Sequence, residues 1–468
     1  MVPLCTAASS ALAEDYQTAP ASVAPPLRKS MQQNRIVIMT DNASLNMGGE
    51  ASRAYFCFKL MRSSGIDVWM VCHTRVRTEL RDCLSADDFE RVHFLPDTRL
   101  QKLLSRVRAW LPRNVKDLVI TQLIRISGQR HARRQVSRLI AELDIKAVYE
   151  PAPNSPKGLS FMHGLGVPVI IGPMSGGITL PPAFRSIDSL ASRIVVNTAR
   201  KLTPLAHYIV PGKIKADALI VANKQTQRAL PNGCRGKVYQ IIESGVDRTN
   251  WQPRNCHNVT RKGPVRFASS GRFVKWKGFQ FLIKAFASVA KQTNATLDLV
   301  GDGEMRPKLE HQVKRLGLQD NVRFHGWANR NQSAQILSEC DVYVQSSLSE
   351  AGGTAIIEAL ALGLPVVATN WGGPSEIINA SCGILVNPDS HTLFVSGLSK
   401  AMLSLAENSE TRQRMSQAAI KRSTEHYLDW QSKVDRIAEV IEETISNHGT
   451  ASDHRTSEPA SSETTTSG

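Results

Sequence analysis

The stretch SEAGGTAIIEALALGLPVVAT, residues 349–369, indicates how the second half of this chain folds. Two adjacent glycines, Gly352 and Gly353, precede an apolar segment with helical spacing, and a second apolar run ends the stretch. A loop that leads into a helix and then into a buried strand is the repeating unit of a parallel α/β sheet. The stretch therefore predicts a doubly wound domain, with Glu350 in the loop after a strand and Glu358 about two turns into the helix.

Strand and helix patterns alternate on both sides of this stretch. One series precedes a Pro-, Asn- and Arg-rich connection at residues 247–264, and a second series follows it. The strands expected first are Arg35–Met39, Asp67–Cys72, Ala147–Tyr149 and Pro168–Ile171, and those expected later are Val265–Ser269, Thr296–Val300, Val322–Phe324, Val342–Gln345 and Pro365–Ala368. We expect an α/β protein with two Rossmann-like domains, residues 34–250 and 251–426, that face each other across a ligand-binding cleft.

Composition agrees with a folded chain of two or three domains, since 42% of the 468 residues are apolar and 21% are charged. Residues 1–33 are rich in Ala, Pro and Ser and residues 448–468 in Ser, Thr and Glu, so both ends are expected to be disordered. No apolar run approaches the roughly 18 residues of a spanning helix, which argues against an integral helical membrane protein. The first residues do not resemble a signal peptide.

The net charge of +16 is concentrated in the middle of the chain, where residues 101–300 carry 32 Lys and Arg against nine Asp and Glu. Such a block favours nucleic acid, an anionic membrane face or phosphorylated small molecules. Aromatic residues are only 6% of the chain and do not alternate with basic ones, which argues against a nucleic-acid partner. The eight cysteines include no CxxC pair or metal-ligand spacing, so we expect no zinc site and a cytoplasmic location.

Two more loops carry residue types that bind phosphate. Gly271 and Arg272 follow a predicted strand, and Lys277 precedes the next helix, which is the position of an anion-binding loop. The Val300–Gly303 loop also follows a strand. Each is weak alone, because such a GDG is often a turn, a KWKG cluster is often a solvated face, and two glutamates eight residues apart are often unrelated.

In order, these segments resemble glycosyltransferase family 4, the retaining nucleotide-sugar enzymes of the GT-B fold. The similar segments are GRFVKWKG (271–278), LVGDGEMRPKLE (299–310), VRFHGW (322–327), residues 349–369, GGPSEII (372–378) and GILV (383–386). The resemblance covers most of residues 35–445. It implies a nucleotide-sugar donor as substrate with no cofactor, a glycan or lipid-linked acceptor in polysaccharide or glycoconjugate biosynthesis, and a C-terminal helix, residues 427–447, that crosses back to the first domain.

The resemblance also implies roles for single residues. Arg272 and Lys277 would hold the donor diphosphate, and Glu350 would contact the transferred sugar; these three are the catalytic candidates. The remaining donor-binding candidates are Gly271, Gly303, Gly352, Gly353, Thr354 and Glu358, the last of them at the ribose. Gly48 and Gly49 would form an acceptor or phosphate loop. No Asp-x-Asp motif appears in the chain, whereas two fixed cations are present, so we expect no metal.

Two positions depart from the family pattern. Many members carry a catalytic-site His in the loop after the strand near Ala147–Tyr149, where this chain has residues 150–157, EPAPNSPK. The nearby His163 is assigned to a helix or to packing, and the role of the missing His stays open. Gly352 stands where an aromatic residue is usual, which predicts open space beside the sugar. A nucleotide-sugar epimerase or a non-catalytic partner on the same fold remains an alternative function.

Leu100–Leu111 has apolar residues at helical spacing, and its basic residues lie on the opposite face. One interpretation is an amphipathic helix that packs on its own sheet. The other is an interfacial helix that docks the protein on an anionic cytoplasmic leaflet, peripheral to the inner face of the membrane. The sequence leaves both open.

Overall fold

The computed structural model describes residues 33–47, 49–110, 120–152, 155–187, 203–253 and 263–456. Within these residues the strands are β1 (Arg35–Met39), β2 (Asp67–His73), β3 (Val92–Leu95), β4 (Ala147–Glu150), β5 (Val169–Met174), β6 (Ala218–Val221), β7 (Lys237–Gln240), β8 (Arg266–Ser270), β9 (Thr296–Val300), β10 (Val322–Gly326), β11 (Val342–Gln345), β12 (Val366–Thr369) and β13 (Gly383–Val386). They form two sheets, in the orders β3-β2-β1-β4-β5-β6-β7 and β10-β9-β8-β11-β12-β13. All strand pairs are parallel, as the alternating pattern predicts.

Helices connect the strands. In the first domain they are Gly49–Ser63, Arg77–Cys83, Ala86–Glu90, Arg99–Trp110, Thr121–Leu143, Gly212–Lys215 and Lys224–Arg228. In the second they are Phe279–Gln292, Arg306–Arg315, Arg330–Ser338, Thr354–Ala361, Pro374–Ile377, His391–Glu407 and Ser409–Arg422, and the last helix is Trp430–Thr456. Short 3-10 turns occupy Thr74–Val76, Pro182–Ile187 and Lys275–Lys277.

Each sheet is covered on both faces, which explains why its central strands are apolar throughout. In β1, Ile36 and Ile38 belong to one buried cluster, whereas Val37 and Met39 belong to another cluster that includes Val136 from the helix Thr121–Leu143. Alternate residues of a strand point to opposite faces. The carboxyl ends of the strands are left for the loops that carry the polar site residues.

The last helix packs against the first sheet's cluster, and the Trp430 ring stacks on Phe56 with the centroids 4.7 Å apart. It begins at Trp430 rather than Tyr427, because His426 and Tyr427 adopt φ of 54° and 58°, outside the helical region. It also continues to Thr456, so the expectation of disorder from residue 448 is wrong for 448–456. Extending an existing helix costs far less than starting one. Residues 1–32 and 457–468, also expected to be disordered, lie outside the described residues.

The helix Arg99–Trp110 leaves Leu100, Leu103 and Val107 of its apolar stripe exposed. Gln101 is 5% exposed and donates to the Ile124 carbonyl at 3.3 Å, whereas Leu100 and Leu103 are 52% and 57% exposed. The interpretation that this stripe packs on its own sheet is therefore wrong for these residues, because the helix contacts its neighbour through the Gln101 side. None of the helices in the described part of the chain combines the length and the hydropathy that a membrane span requires.

Candidate active site

A cavity of about 570 Å³ opens at the carboxyl ends of β8, β9 and β11. Its walls are the loops after these strands together with the first turns of the helix Thr354–Ala361. This edge of a parallel sheet is where α/β proteins characteristically bind ligands. The lining includes six of the residues that the sequence singled out, namely Gly271, Arg272, Lys277, Glu350, Thr354 and Glu358.

Lys277 and Glu350 form a direct ion pair in this cavity. Glu350 Oε2, the oxygen that contacts Lys277, also accepts a hydrogen bond from Gln345 Nε2 at 3.0 Å. Gln345 ends β11, so a strand terminus fixes the carboxylate from behind. The sequence indicated neither the pairing nor Gln345. In this arrangement the positive charge of Lys277 is already neutralised by a protein carboxylate.

Arg272 differs from Lys277 in having no side-chain partner among the residues that the structure describes. Its side chain is exposed, and its guanidinium makes no hydrogen bond or ion pair with the described residues. The turn Lys275–Lys277 ends at Gly278, which has φ of 73° and lies so close to the Ser346 carbonyl that a Cβ atom would overlap it. Gly278 is therefore required to bring Lys277 against the end of β11.

Glu358 reaches the cavity from the helix Thr354–Ala361. It lies just over one turn into that helix rather than two, because the helix begins at Thr354. Burial raises the pKa of Glu358 to about 7, and the Arg330 guanidinium opposes the shift. Hydrogen bonds donated by a polar ligand would favour the ionised form of this carboxyl.

Gly352 does not open space in the cavity, so that expectation is wrong. A Cβ atom on Gly352 would overlap the carboxyl group of Glu243 and the hydroxyl of Ser244, which belong to the connection between the two sheets. The same connection is tied to the helix start, because Thr354 Oγ1 and Ser244 Oγ are 2.7 Å apart. The place of the missing aromatic side chain is thus taken by Glu243, which sequence motifs did not indicate.

Glu243 belongs to a buried set of charges between the domains. Its side chain is 7% exposed, and burial raises its pKa, whereas the nearby Arg53 lowers it. Lys433 of the last helix is fully buried and donates to the carbonyls of Ile242 and Tyr427 at 2.7 and 2.5 Å. The last helix and the interdomain connection are therefore joined directly behind the 350–354 loop.

The glycines predicted to bind the donor do not all lie in the cavity wall. Gly303 stays outside the lining, and a Cβ atom there would overlap the Phe273 carbonyl, so its small size serves the packing of one loop on another. Gly353 has φ of 57° and precedes the helix start at Thr354. Trp327, by contrast, lines the cavity with 76% of its surface exposed and offers an aromatic face there.

The first domain contributes the loop before the helix Gly49–Ser63. Gly49 begins that helix, whereas Gly48 lies outside the described residues. The loop is ordered by the carboxylate of Glu79, which accepts from Ser44 Oγ at 2.6 Å and from the Leu45 amide at 2.7 Å. Glu79 was not indicated by any motif.

The strand that lacks the usual His ends in a buried carboxyl. Ser160 Oγ donates to Glu150 Oε2 at 2.5 Å, and burial raises the pKa of Glu150 to about 8. His163 is half-buried in the loop 161–168, so its assignment to a helix is wrong. Its carbonyl accepts a hydrogen bond from Arg133.

The segment that contains this cavity matches a known family model. Residues 257–422 match the family model of glycosyl transferases group 1. This segment contains every residue that lines the cavity.

Curated relatives match part of the chain. An uncharacterized glycosyltransferase of Methanocaldococcus jannaschii is 38% identical over 124 residues, which are 26% of this chain and 32% of that protein. A lipopolysaccharide core biosynthesis glycosyltransferase of Rhizobium meliloti is 35% identical over 150 residues, 32% of this chain and 42% of that one. The chain therefore spans less than half the length of these relatives.

The fold as a whole is similar to solved structures. Anabaena HepE in complex with UDP superposes with a TM-score of 0.60 at 18% identity, over 87% of this chain and 100% of that one. A likeness at this identity concerns the fold alone. With the two parallel sheets, it confirms the predicted GT-B architecture of two Rossmann-like domains.

Proposed function

We propose that this chain is a retaining glycosyltransferase of family 4 that moves a sugar from a nucleotide-sugar donor to a glycan or lipid-linked acceptor. The observation that carries the proposal is the cavity in which Arg272 and Lys277 lie together with Glu350 and Glu358. The match of residues 257–422 and a relative named for lipopolysaccharide core biosynthesis support it. The reaction would then belong to polysaccharide or glycoconjugate biosynthesis.

Arg272 and Lys277 would stabilise the leaving group of sugar transfer. Breaking the bond between the sugar and the diphosphate builds negative charge on the leaving phosphate, and Arg272 and Lys277 hold positive charge at the same cavity wall. At about 4 Å and an effective dielectric near 20, each contact is worth up to about 4 kcal/mol before desolvation is subtracted. We therefore propose a metal-independent reaction without a cofactor, the nucleotide sugar being the substrate.

Donor binding would rearrange the Lys277–Glu350 ion pair. A diphosphate that approaches Arg272 also attracts Lys277, since it carries more negative charge than one carboxylate. Glu350 then keeps its hydrogen bond from Gln345 and gains lone pairs that can accept hydroxyl groups of the transferred sugar. Donor binding would thus replace one ion pair by two complementary contacts.

The remaining donor contacts follow from position. The amides of residues 352–354 lie at the start of a helix, where backbone N–H groups favour phosphate and sugar oxygens. Glu358 would accept the ribose hydroxyls, and Trp327 offers a face for the base. We propose attack by the acceptor hydroxyl on the same face of the sugar, with the bond to the diphosphate breaking as the new glycosidic bond forms and the acceptor proton passing to the leaving phosphate.

A transfer assay tests the proposal. The protein is incubated with a panel of nucleotide sugars and glycan or lipid-linked acceptors, and both the free nucleoside diphosphate and the enlarged product are measured. Lys277→Ala and Glu350→Gln should each lower transfer at least about a hundredfold, about 2.7 kcal/mol of transition-state stabilisation. Lys275→Ala is the matched control, because Lys275 is exposed on the same turn but does not line the cavity.

The alternatives give different results in this assay. An epimerase would convert the nucleotide sugar without enlarging any acceptor, and a non-catalytic partner would do neither. A nucleic-acid binder would instead shift labelled DNA or RNA through the basic residues 101–300. Near-normal transfer by Lys277→Ala or Glu350→Gln would contradict the assignment of the site.

We further propose that the protein is cytoplasmic and binds the inner face of the membrane through the helix Arg99–Trp110. Leu100, Leu103 and Val107 are 52%, 57% and 41% exposed on this helix. Arg99, Lys102 and Arg106 of the same helix are exposed as well. An exposed apolar stripe beside basic residues matches an anionic lipid surface, where each cation adds about 1 kcal/mol.

Sedimentation with vesicles tests the membrane proposal. Binding should appear with vesicles that contain phosphatidylserine, weaken at high salt, and be absent with neutral phosphatidylcholine vesicles. The double variant Leu100→Ser, Leu103→Ser should lose it, whereas Leu393→Ser, which alters a 61% exposed leucine of the second domain, should not. A protein that ignores anionic vesicles at low salt would refute the proposal.

A further inference from the structure

A second cavity, of about 280 Å³, lies in the first domain. It opens at the carboxyl ends of the neighbouring strands β1, β2 and β3, where Asp41, His73 and Leu95 line it. The helices Arg99–Trp110 and Thr121–Leu143 close it from the side. The cavity that Arg272 and Lys277 line is at the corresponding edge of the other sheet. Because parallel α/β sheets bind ligands at this edge, the position predicts a small-molecule site.

Three side chains that line this cavity, Arg75, Arg125 and His131, have hydrogen-bond donors without a partner among the described residues. Arg125 and His131 project from the helix Thr121–Leu143, and neither side chain has a hydrogen-bond or ion-pair partner within the described ranges. Arg75 donates through Nε to His73 Nδ1 at 3.0 Å, and its two terminal amino groups make no hydrogen bond with described residues. Unpaired guanidinium groups in a concave site fit an anionic oxygen group such as phosphate or carboxylate.

The opposite wall supplies acceptors. The Asp41 carboxylate has no hydrogen-bond partner among the described residues, and Asn42 Oδ1 is buried without one. Buried polar atoms are normally hydrogen-bonded, so an orphaned oxygen beside a cavity indicates a ligand donor. Acceptors of this kind suit the hydroxyl groups of a sugar, and the donors across the cavity suit its charge.

Two buried titratable side chains, Lys213 and Glu150, lie near the residues that line the cavity. Burial lowers the pKa of Lys213 to about 7, and the Arg125 guanidinium contributes to that shift. Burial likewise raises the pKa of Glu150 to about 8, and the nearby Asp41 carboxylate contributes to that shift.

From this geometry we propose that the first-domain cavity binds the acceptor of the transfer reaction through a sugar that carries an anionic group, either a phosphate or a carboxylate. The proposal rests on the proposed function, since it names the acceptor of that reaction. Gln101, which lines the cavity, lies on the helix that exposes Leu100 and Leu103. An acceptor with a charged sugar and an apolar tail would therefore contact two adjoining surfaces of one helix.

Binding measurements test this without any turnover. Glucose 6-phosphate, glucuronate and uncharged glucose are titrated calorimetrically into the full-length protein. One or both anionic sugars should bind, and whichever binds identifies the anionic group; glucose should bind more weakly. Arg125→Gln and Arg75→Gln should each weaken that binding about tenfold or more. Arg228→Gln, an exposed arginine of the same domain outside the cavity, should leave it unchanged.

A parallel titration with UDP, GDP and ADP separates this proposal from the donor site. Both cavity variants should bind the nucleoside diphosphate as the wild type does, which also shows that they are folded. The proposal is wrong if neither anionic sugar binds, or if the sugar binding survives Arg125→Gln and Arg75→Gln but disappears in Lys277→Ala. If the wild type bound an anionic sugar but none of the nucleoside diphosphates, the result would instead count against the proposed function.

Discussion

Replacing Glu358 by Gln should make the unliganded protein more stable at high pH. Burial raises the pKa of this carboxyl from 4.5 to about 7, so the folded state resists its ionisation. The penalty is absent below pH 4.5, grows as the pH rises towards 7 and is constant above that. Each pKa unit corresponds to about 1.4 kcal/mol, which sets an upper limit of about 3 kcal/mol. Because the side chain faces a cavity, solvent screens part of this, and we expect about 1–3 kcal/mol at pH 8.

Urea denaturation at pH 5 and pH 8 measures the effect. The gain from Glu358→Gln should be largest at pH 8 and mostly disappear at pH 5, and Glu304→Gln, at an exposed carboxyl of the same domain, should show no such difference. The variant should also bind nucleoside diphosphates about tenfold or more weakly, because a charged hydrogen-bond acceptor is lost. The reasoning is refuted if Glu358→Gln is no more stable than wild type at pH 8, or equally stabilised at pH 5.

Two other substitutions test the region between the domains. Gly352→Ala should lower the free energy of unfolding by about 1–3 kcal/mol through overlap with Glu243, and in a Glu243→Ala background the loss should be smaller; additive effects of the two changes would contradict this contact. The wild type should gain stability between pH 7 and 9.5, because burial lowers the pKa of Lys433 and the folded state then binds fewer protons than the unfolded chain. Lys433→Met should flatten this rise. An unchanged pH profile would contradict the reasoning.

Most of the strands that the sequence predicted are buried along their length, although β10 at the edge of the second sheet was predicted as well. Arg35–Met39, Thr296–Val300 and Val342–Gln345 have the bounds that their apolar runs indicated. Three strands of the first sheet were missed: β3 and β7 lie at its edges and carry polar residues such as Lys237, whereas β6 is buried throughout but only four residues long. An edge strand is covered less and leaves a weaker apolar pattern, so its sequence resembles that of a loop.

The site shows the same limit. Local loops bring together Arg272, Lys277, Glu350 and Glu358, because each follows or precedes an element of one sheet and the sheet aligns those ends. Glu243 could not be predicted in this way: its neighbour Ser244 meets Thr354 across 110 residues of sequence, and the contact depends on how the two domains pack. Apolar spacing in the helix Arg99–Trp110 likewise defined a face but not what covers it.

The most direct test of the central claim, that the second-domain cavity binds a nucleotide-sugar donor, is a thermal-shift panel of UDP-, GDP- and ADP-sugars. One of them should raise the melting temperature, since a ligand at 100 times its dissociation constant stabilises a protein by about 2.7 kcal/mol. The same ligand should have no effect on the double variant Arg272→Ala, Lys277→Ala, whose unliganded melting temperature should stay near that of the wild type. A panel without any shift, or a shift that the double variant retains in full, would contradict the account.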